Sequence, residues 1–220
     1  MEMLTLIKGR KSIRHFSAEE PSRDLILECL EAASWAPNPT SQQPWKFIVL
    51  ANTALKTVCQ VIEENFTAAA AAKMAERPAP ALSEEIARVF KGRKDQNFAE
   101  MLSFLKEKEV DLQAIGKGNF VFHNAHMGII FATYPCRDQN FLKSTVAAMQ
   151  TFMLAAASRG IGSCWMNAVS ICQDYIKNAL NLAPDLILVD GIAVGYPVQN
   201  SPLNQLPRHR LPVEEVTEFR

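Results

Sequence analysis

Between Ser22 and Ala36 the apolar residues Leu25, Cys29, Ala32, Ala33 and Ala36 recur at the spacing of one helix face. Ser22 stands where it can cap the first turn. Pro37 and Pro39 stop that helix, and a polar loop leads into Lys46–Ala51, an apolar run with a β-branched pair that predicts a buried strand. A second helix is expected from about Thr53 into the alanine tract Ala68–Ala72, because alanine is the best helix former. Pro78 and Pro80 interrupt the pattern, and Ser83 opens another helical stretch with Ile86, Val89 and Phe90. From Lys91 to Gly118 the chain is charged, with Met101, Leu102 and Leu105 as a short helical stripe. Residues 66–120 therefore read as a helical excursion or lid.

Phe120–Thr133 is expected to be a second strand region, and Phe141–Arg159 a long helix. The second half of that helix is nearly all apolar, so it must be covered on every side, by its own domain or by a second subunit. Met149, Phe152 and Met153 on it belong to a core or a dimer interface. Gly160 and Gly162 end the helix, Ser163–Ala168 is extended, and Ser170 with Gln173 forms a capping box. Leu186–Val194 is a third strand. The tail beyond Val198 holds three prolines and little apolar content; it is expected to lie across a surface, with that of a partner subunit as one candidate. Long helices alternating with few strands indicate an α+β layer fold in a single domain, residues 1–220.

Charge narrows the partners. Lys plus Arg and Asp plus Glu both number 23, whereas a protein devoted to a nucleic-acid backbone carries a basic surplus. The five cysteines are widely spaced, with no Cys-x-x-Cys pair, a pattern that fits a reducing cytosol rather than a disulfide framework or a zinc site. Met1–Arg14 has no apolar core of signal-peptide length, and Val146–Ala157 is too short to span a bilayer. A soluble, cytoplasmic protein with no membrane or nucleic-acid partner is expected. His123 and His126 are spaced like metal ligands but lack a matched Glu or Cys pair, so they read as structural and no metal site is expected. Gly160-x-Gly162 lacks the third glycine of a dinucleotide fingerprint, and no Walker-type lysine loop is present.

Three segments carry candidate chemistry. Arg10-Lys11-Ser12-Ile13-Arg14 and Arg208-His209-Arg210 lie near opposite ends of the chain, and guanidinium and hydroxyl groups suit phosphate oxygens. The loop Pro37-Asn38-Pro39-Thr40-Ser41-Gln42-Gln43-Pro44-Trp45 sets amides and a hydroxyl between prolines. Such groups suit the edge of a flavin or its ribityl chain, while Trp45 itself reads as core. No Ser-His-Asp or paired-carboxylate constellation is found.

With Gly160-Ile161-Gly162-Ser163-Cys164-Trp165, Gly191–Pro197 and Arg208–Val216, these segments in this order resemble the nitroreductase family. The match covers residues 8–51 and 146–217, with a looser middle. The resemblance implies a central, mostly antiparallel sheet flanked by helices, and a C-terminal arm exchanged across a homodimer. It implies FMN as cofactor, with Arg10, Ser12 and Arg210 on its phosphate, Arg208 assisting, Lys11 near the ribityl chain, and Arg14 touching the flavin or bracing the loop. Pro37, Asn38 and Ser41 would approach the flavin from the other subunit; the commoner family pattern has Ser at position 38 and Asn at position 41. Trp165, Met166, Asn167 and Ala168 match the segment that runs past the ring, where a backbone N–H meets flavin N(5). The implied reaction takes hydride from NAD(P)H and delivers electrons to nitroaromatics, quinones or similar flat aromatic acceptors. No catalytic side chain is required, since FMN carries the chemistry. Dehalogenation, azoline oxidation and flavin fragmentation are alternatives on the same scaffold, as is a flavin-binding sensor without turnover.

Overall fold

Residues Met127–Thr133 are buried at every position, so this strand must lie inside a sheet that is covered on both faces. The structure, a computed structural model, describes residues 2–76 and 81–220; the expected breaks at Pro78 and Pro80 lie outside them. Helices are α1 (Met3–Gly9), α2 (Arg23–Ser34), α3 (Asn52–Glu76), α4 (Glu84–Glu107), α5 (Gln113–Gly118), α6 (Asn140–Ser158), α7 (Ala168–Ile171) and α8 (Gln173–Ala179). Strands are β1 (Trp45–Ala51), β2 (Met127–Thr133), β3 (Gly162–Met166) and β4 (Ile187–Gly195). They form one four-stranded sheet in the order β1-β2-β4-β3, antiparallel at each pairing. The α+β expectation and the mostly antiparallel sheet flanked by helices are therefore observed.

Strand alternation divides the core. Met127, Ile129 and Phe131 of β2 join Val189, Ile192 and Val194 of β4 against Ile26 and Leu30 of α2 and Met149, Phe152 and Met153 of α6. Ile130, Ala132, Leu188 and Ala193 face the other way, onto Leu55, Val58 and Ile62 of α3, Val169 of α7 and Ile176 of α8. The apolar half of α6 is thus covered largely by its own chain. Trp45 is partly buried against the α2–α6 layer.

Local chemistry sets the boundaries. The Ser22 side chain accepts from Leu25 N–H at 3.3 Å, and Ser83 does the same for Ile86 at the start of α4. Helix α6 ends in a Schellman turn: Gly160 takes φ 75°, Ile161 N–H donates to Ala156 C=O and Gly160 N–H to Ala157 C=O.

Three expectations are corrected. First, the Ser170–Gln173 capping box does not form. The strand stops at Met166, α7 begins at Ala168, and Ser170 lies inside it with its hydroxyl donating to Asn167 C=O. The turn comes early because Val169 packs over Gly191 of β4, where an added Cβ would stand 2.6 Å from it. Second, the extended reading of 163–168 ends two residues short for the same reason. Third, Phe120–Asn124 is not strand: Phe122, His123 and Asn124 take φ between 49° and 55°, a left-handed turn that seats the Phe122 ring against Gly128 and Gly191. The charged stretch from Lys91 is helical as expected: it continues α4 to Glu107, where Leu105 alone is buried, and resumes in α5.

The left-handed turn also buries His123. Its Nε2 has no hydrogen-bond partner, and burial, with the Arg14 charge nearby, pushes its pKa from 6.5 down to about 4. The folded state thus holds a neutral imidazole that the unfolded chain protonates more readily. That contribution to stability is present in full above about pH 6.5 and is lost as pH falls toward 4, up to about 3 kcal/mol. Urea denaturation across this window should show the decline, and His123→Leu should flatten it; an unchanged acid limb in that variant would contradict the assignment. His126 faces elsewhere, 3.5 Å from a Glu20 carboxylate oxygen.

Candidate functional site

Residues 10–17 run along the open edge of the sheet. Ser12 forms a parallel bridge with Ser163 and Phe16 an antiparallel one with Pro197; Ile13 N–H donates to Ser163 C=O at 2.9 Å. Gly162 makes this approach possible, since a Cβ there would stand 2.7 Å from Ile13 Cγ1. The returning tail crosses the same segment. Val198 N–H donates to His15 C=O, and the Arg208 guanidinium donates to the carbonyls of Lys8 at 3.0 Å and Arg10 at 2.5 Å. The tail through Arg210 therefore lies on its own chain, while Val213, Val216 and Phe219 beyond it stay exposed.

Asn204 is the pin of this crossing. Its Oδ1 accepts from Arg14 N–H at 2.8 Å and His15 N–H at 3.0 Å, and its Nδ2 donates to the carbonyls of His15 at 2.8 Å and Val198 at 3.2 Å. Asn204→Ala leaves those part-buried backbone groups short of partners, at a cost of about 1–3 kcal/mol. Urea denaturation should show that loss together with weaker flavin retention; a variant of unchanged stability would contradict it.

Together the two crossing segments build a cavity of about 500 Å³ lined by Arg10, Lys11, Ser12 and Arg14 on one side and Arg208, His209 and Arg210 on the other. Burial first, and then the charges of Arg208 and Arg210, lower the pKa of Arg10. Among the described residues none of those lining the cavity is acidic. Glu100 of α4 lies close by, its carboxylate 2.6 Å from His209 Nε2. Such a cradle suits a doubly charged phosphate monoester, the group that an FMN cofactor would present.

Sequence reasoning missed the remaining wall. Lys94, Asn97, Phe98 and Met101 of α4, with Asn204, Leu206 and Pro207, line the same cavity. Lys94, Asn97, Phe98 and Met101 follow one helical stripe, a signal legible only once α4 is known to be continuous. The middle of the chain thus contributes to the same cavity as the arginines.

The structure does not bring the loop residues into this cavity. Pro37, Asn38 and Ser41 line a separate hollow with Glu31 and Trp35. The Asn38 side chain is spent on its own loop, donating to Ala36 C=O at 3.2 Å and accepting from Gln43 N–H at 2.8 Å. Thr40, Ser41 and Gln43 all take φ near 50°, so the loop is tightly folded. Ser41 is exposed.

The third set follows the edge strand. Met166 and Ala168 are buried, Trp165 is half-buried and Asn167 is exposed at the β3–α7 turn. The parallel bridge at Ser12 and Ser163 aligns this segment with Arg10–Arg14 along one sheet edge. Among the described residues no three His, Cys, Asp or Glu side chains gather to hold a metal ion, and no helix is long and apolar enough to cross a membrane.

Residues 7–196 match the model of the nitroreductase family. The chain is 27% identical over 222 residues to a nitrobenzene nitroreductase of Ectopseudomonas oleovorans, spanning 97% of this chain and 95% of that one. It is 26% identical to a 4-nitrobenzoate reductase of Pseudomonas putida, over 97% and 93% of the two chains. It is also 26% identical to a 5,6-dimethylbenzimidazole synthase of Rhodospirillum rubrum, over 92% and 85%. In fold it is similar to an FMN-dependent nitroreductase of Mycobacterium smegmatis solved with NADPH, with a TM-score of 0.80 at 22% identity over 99% of this chain and 97% of that one.

Proposed function

The chain belongs to the nitroreductase family and is an oxidoreductase; from that premise we propose that it binds FMN, takes hydride from NAD(P)H and reduces flat aromatic acceptors such as nitroarenes or quinones. The observation that carries this reading is the acid-free cationic cavity where the two ends of the chain cross. Arg10, Ser12 and Arg210 would hold the phosphate, with Lys11 toward the ribityl chain and Arg14 toward the ring. Arg208 acts chiefly on the protein, fastening the tail to the end of α1 through the Lys8 and Arg10 carbonyls. When bound, FMN accepts two electrons from the nicotinamide and returns them to the acceptor. The chain's own task is to hold the ring with one face open. The β3–α7 turn, Trp165 to Ala168, would supply the backbone donor along the ring's edge. Phe98 and Met101 of α4 give an apolar wall against which a planar acceptor can lie.

A homodimer completes this site in our reading. Pro37, Asn38 and Ser41 occupy a hollow apart from the phosphate cradle, beside a Trp35 that is 82% exposed. A second copy would bring that loop to the flavin. Exchange of the arm would then concern the residues after Arg210, where Val213, Val216 and Phe219 have nothing to pack on within the chain. α4 would act as the lid. Because it also lines the phosphate cavity, shuffling residues 91–108 should alter flavin affinity as well as acceptor selectivity.

Steady-state kinetics test the reading. One site serving reductant and acceptor in turn gives parallel double-reciprocal lines when NADPH is varied at fixed nitrobenzene concentrations. Intersecting lines, or no acceptor-dependent NAD(P)H oxidation, would contradict it. A flavin spectrum that recovers fully after many turnovers separates acceptor reduction from flavin fragmentation.

A further inference from the structure

Among the described residues only two buried side-chain polar atoms are without a hydrogen-bond partner, His123 Nε2 and Asp190 Oδ1. An orphaned buried acceptor costs about 1–3 kcal/mol, so one that persists needs a reason. Asp190 stands on β4, where the register with β2 slips: Phe131 pairs with Asp190, but Ala132 pairs with Leu188. Bulges of this kind re-aim side chains beside functional sites. Here the re-aimed carboxylate takes the indole N–H of Trp165, with Nε1 to Oδ2 at 2.7 Å.

We propose that Asp190 is a positioning residue for flavin reduction, holding the Trp165 ring so that the β3–α7 turn meets the cofactor in a fixed pose. This rests on the FMN-dependent reading above. The turn is fastened from its other side as well. Lys73 of α3 donates to Ser170 C=O at 2.8 Å, the Ser170 hydroxyl to Asn167 C=O at 3.0 Å, and Ile171 N–H to the same carbonyl at 3.2 Å. Those bonds fix Asn167 to Ile171 on α7, but none of them reaches Trp165 on the strand. The Asp190 bond is the side-chain contact that sets the strand end of the turn. Burial raises the carboxyl's pKa although the Trp165 indole, the Ser170 hydroxyl and backbone N–H, and the Lys73 charge all favour its ionised form, so the carboxylate faces both the strand end and the α7 side of the turn.

The test measures the rate at which NADPH bleaches the flavin of the FMN-loaded enzyme under rapid mixing, in wild type, Asp190→Ala, Asp190→Asn, Trp165→Phe and the Asp190→Ala/Trp165→Phe double variant. Asp190→Ala and Trp165→Phe should each slow bleaching at least tenfold while FMN stays bound, and the double variant should be no slower than either. Asp190→Asn keeps an acceptor oxygen for the indole and should stay within about threefold of wild type. Bleaching at the wild-type rate in Asp190→Ala, or losses that multiply in the double variant, would overturn the proposal. Should Asp190→Ala fail to fold, Trp165→Phe decides alone, a wild-type rate again overturning it. A wild-type protein that binds no FMN, or whose flavin NADPH does not bleach, sinks the functional reading instead.

Discussion

Replacing Arg10 and Arg210 together by alanine should strip the protein of FMN. Each guanidinium makes charge-assisted hydrogen bonds to the phosphate in the proposed pose, and a hydrogen bond to a charged group contributes roughly 1.5–3 kcal/mol. Losing both therefore weakens binding by about 3–6 kcal/mol, or roughly two to four orders of magnitude. The lowered pKa of Arg10, caused by burial and by Arg208 and Arg210, gives the effect its physical basis. Burial and the neighbouring like charges both disfavour the bare Arg10 cation, and a phosphate in the proposed pose would relieve it. Fluorescence titration of the apoprotein with FMN measures the change, and equal affinity in the double variant would contradict the site. Arg208→Ala should behave differently, lowering thermal stability as well as affinity, because its guanidinium holds two backbone carbonyls.

The largest expected loss of stability from one side chain follows Phe131→Ala. Phe131 is fully buried in the central strand β2. It meets Phe47 of β1 and Phe152 of α6 edge-on, with ring centroids 5.0 and 5.6 Å away. Truncation removes the packing of a large ring and leaves a cavity between sheet and helix, a change that costs about 3–5 kcal/mol. Lys56→Ala is the control: that side chain is exposed on α3 and its loss should cost less than about 0.5 kcal/mol. Urea denaturation of the two variants compares them, and a Phe131→Ala midpoint close to wild type would mean that the sheet packs otherwise.

How much of this was legible in the sequence depends on where the energy lies. Ser22 and Ser83 announced their helices because N-caps are local chemistry, and both bonds are present. Strand β1 was legible because its neighbouring turns carry prolines and its residues are apolar in sequence. Helix α1 was missed although Met3, Leu4, Leu6 and Ile7 recur at helical spacing, because seven residues are too few for that period to stand out. α4 was seen only in parts for another reason: Ile86, Val89, Phe90 and Phe98 are apolar yet exposed. The Phe122–Asn124 turn was read as strand because its conformation is imposed from outside, by the pocket that Gly128 and Gly191 leave for the Phe122 ring.

The same distinction runs through the candidate site. The arginine segments stood out only as part of a series of segments that resembles one family, since short basic runs are usually solvated surface charge. The fold does bring Arg10, Lys11, Ser12, Arg14, Arg208, His209 and Arg210 to one cavity. Their convergence is a tertiary fact, fixed by Asn204, one of several polar residues in a proline-bearing tail with no motif to mark it out. Asp190 was equally silent. A single acid in an apolar strand reads as an interruption until the β2–β4 register slip shows it turned toward Trp165.

The most direct measurement of the central claim is a pair of half-reactions followed by visible absorbance without oxygen. The purified protein, loaded with FMN, is mixed with one equivalent of NADPH or NADH and then with one equivalent of nitrobenzene. The oxidised flavin band should bleach on the first addition and return on the second, each step complete at one two-electron equivalent per flavin. A protein that takes up no FMN, or a bound flavin that neither nicotinamide can bleach, would contradict the account.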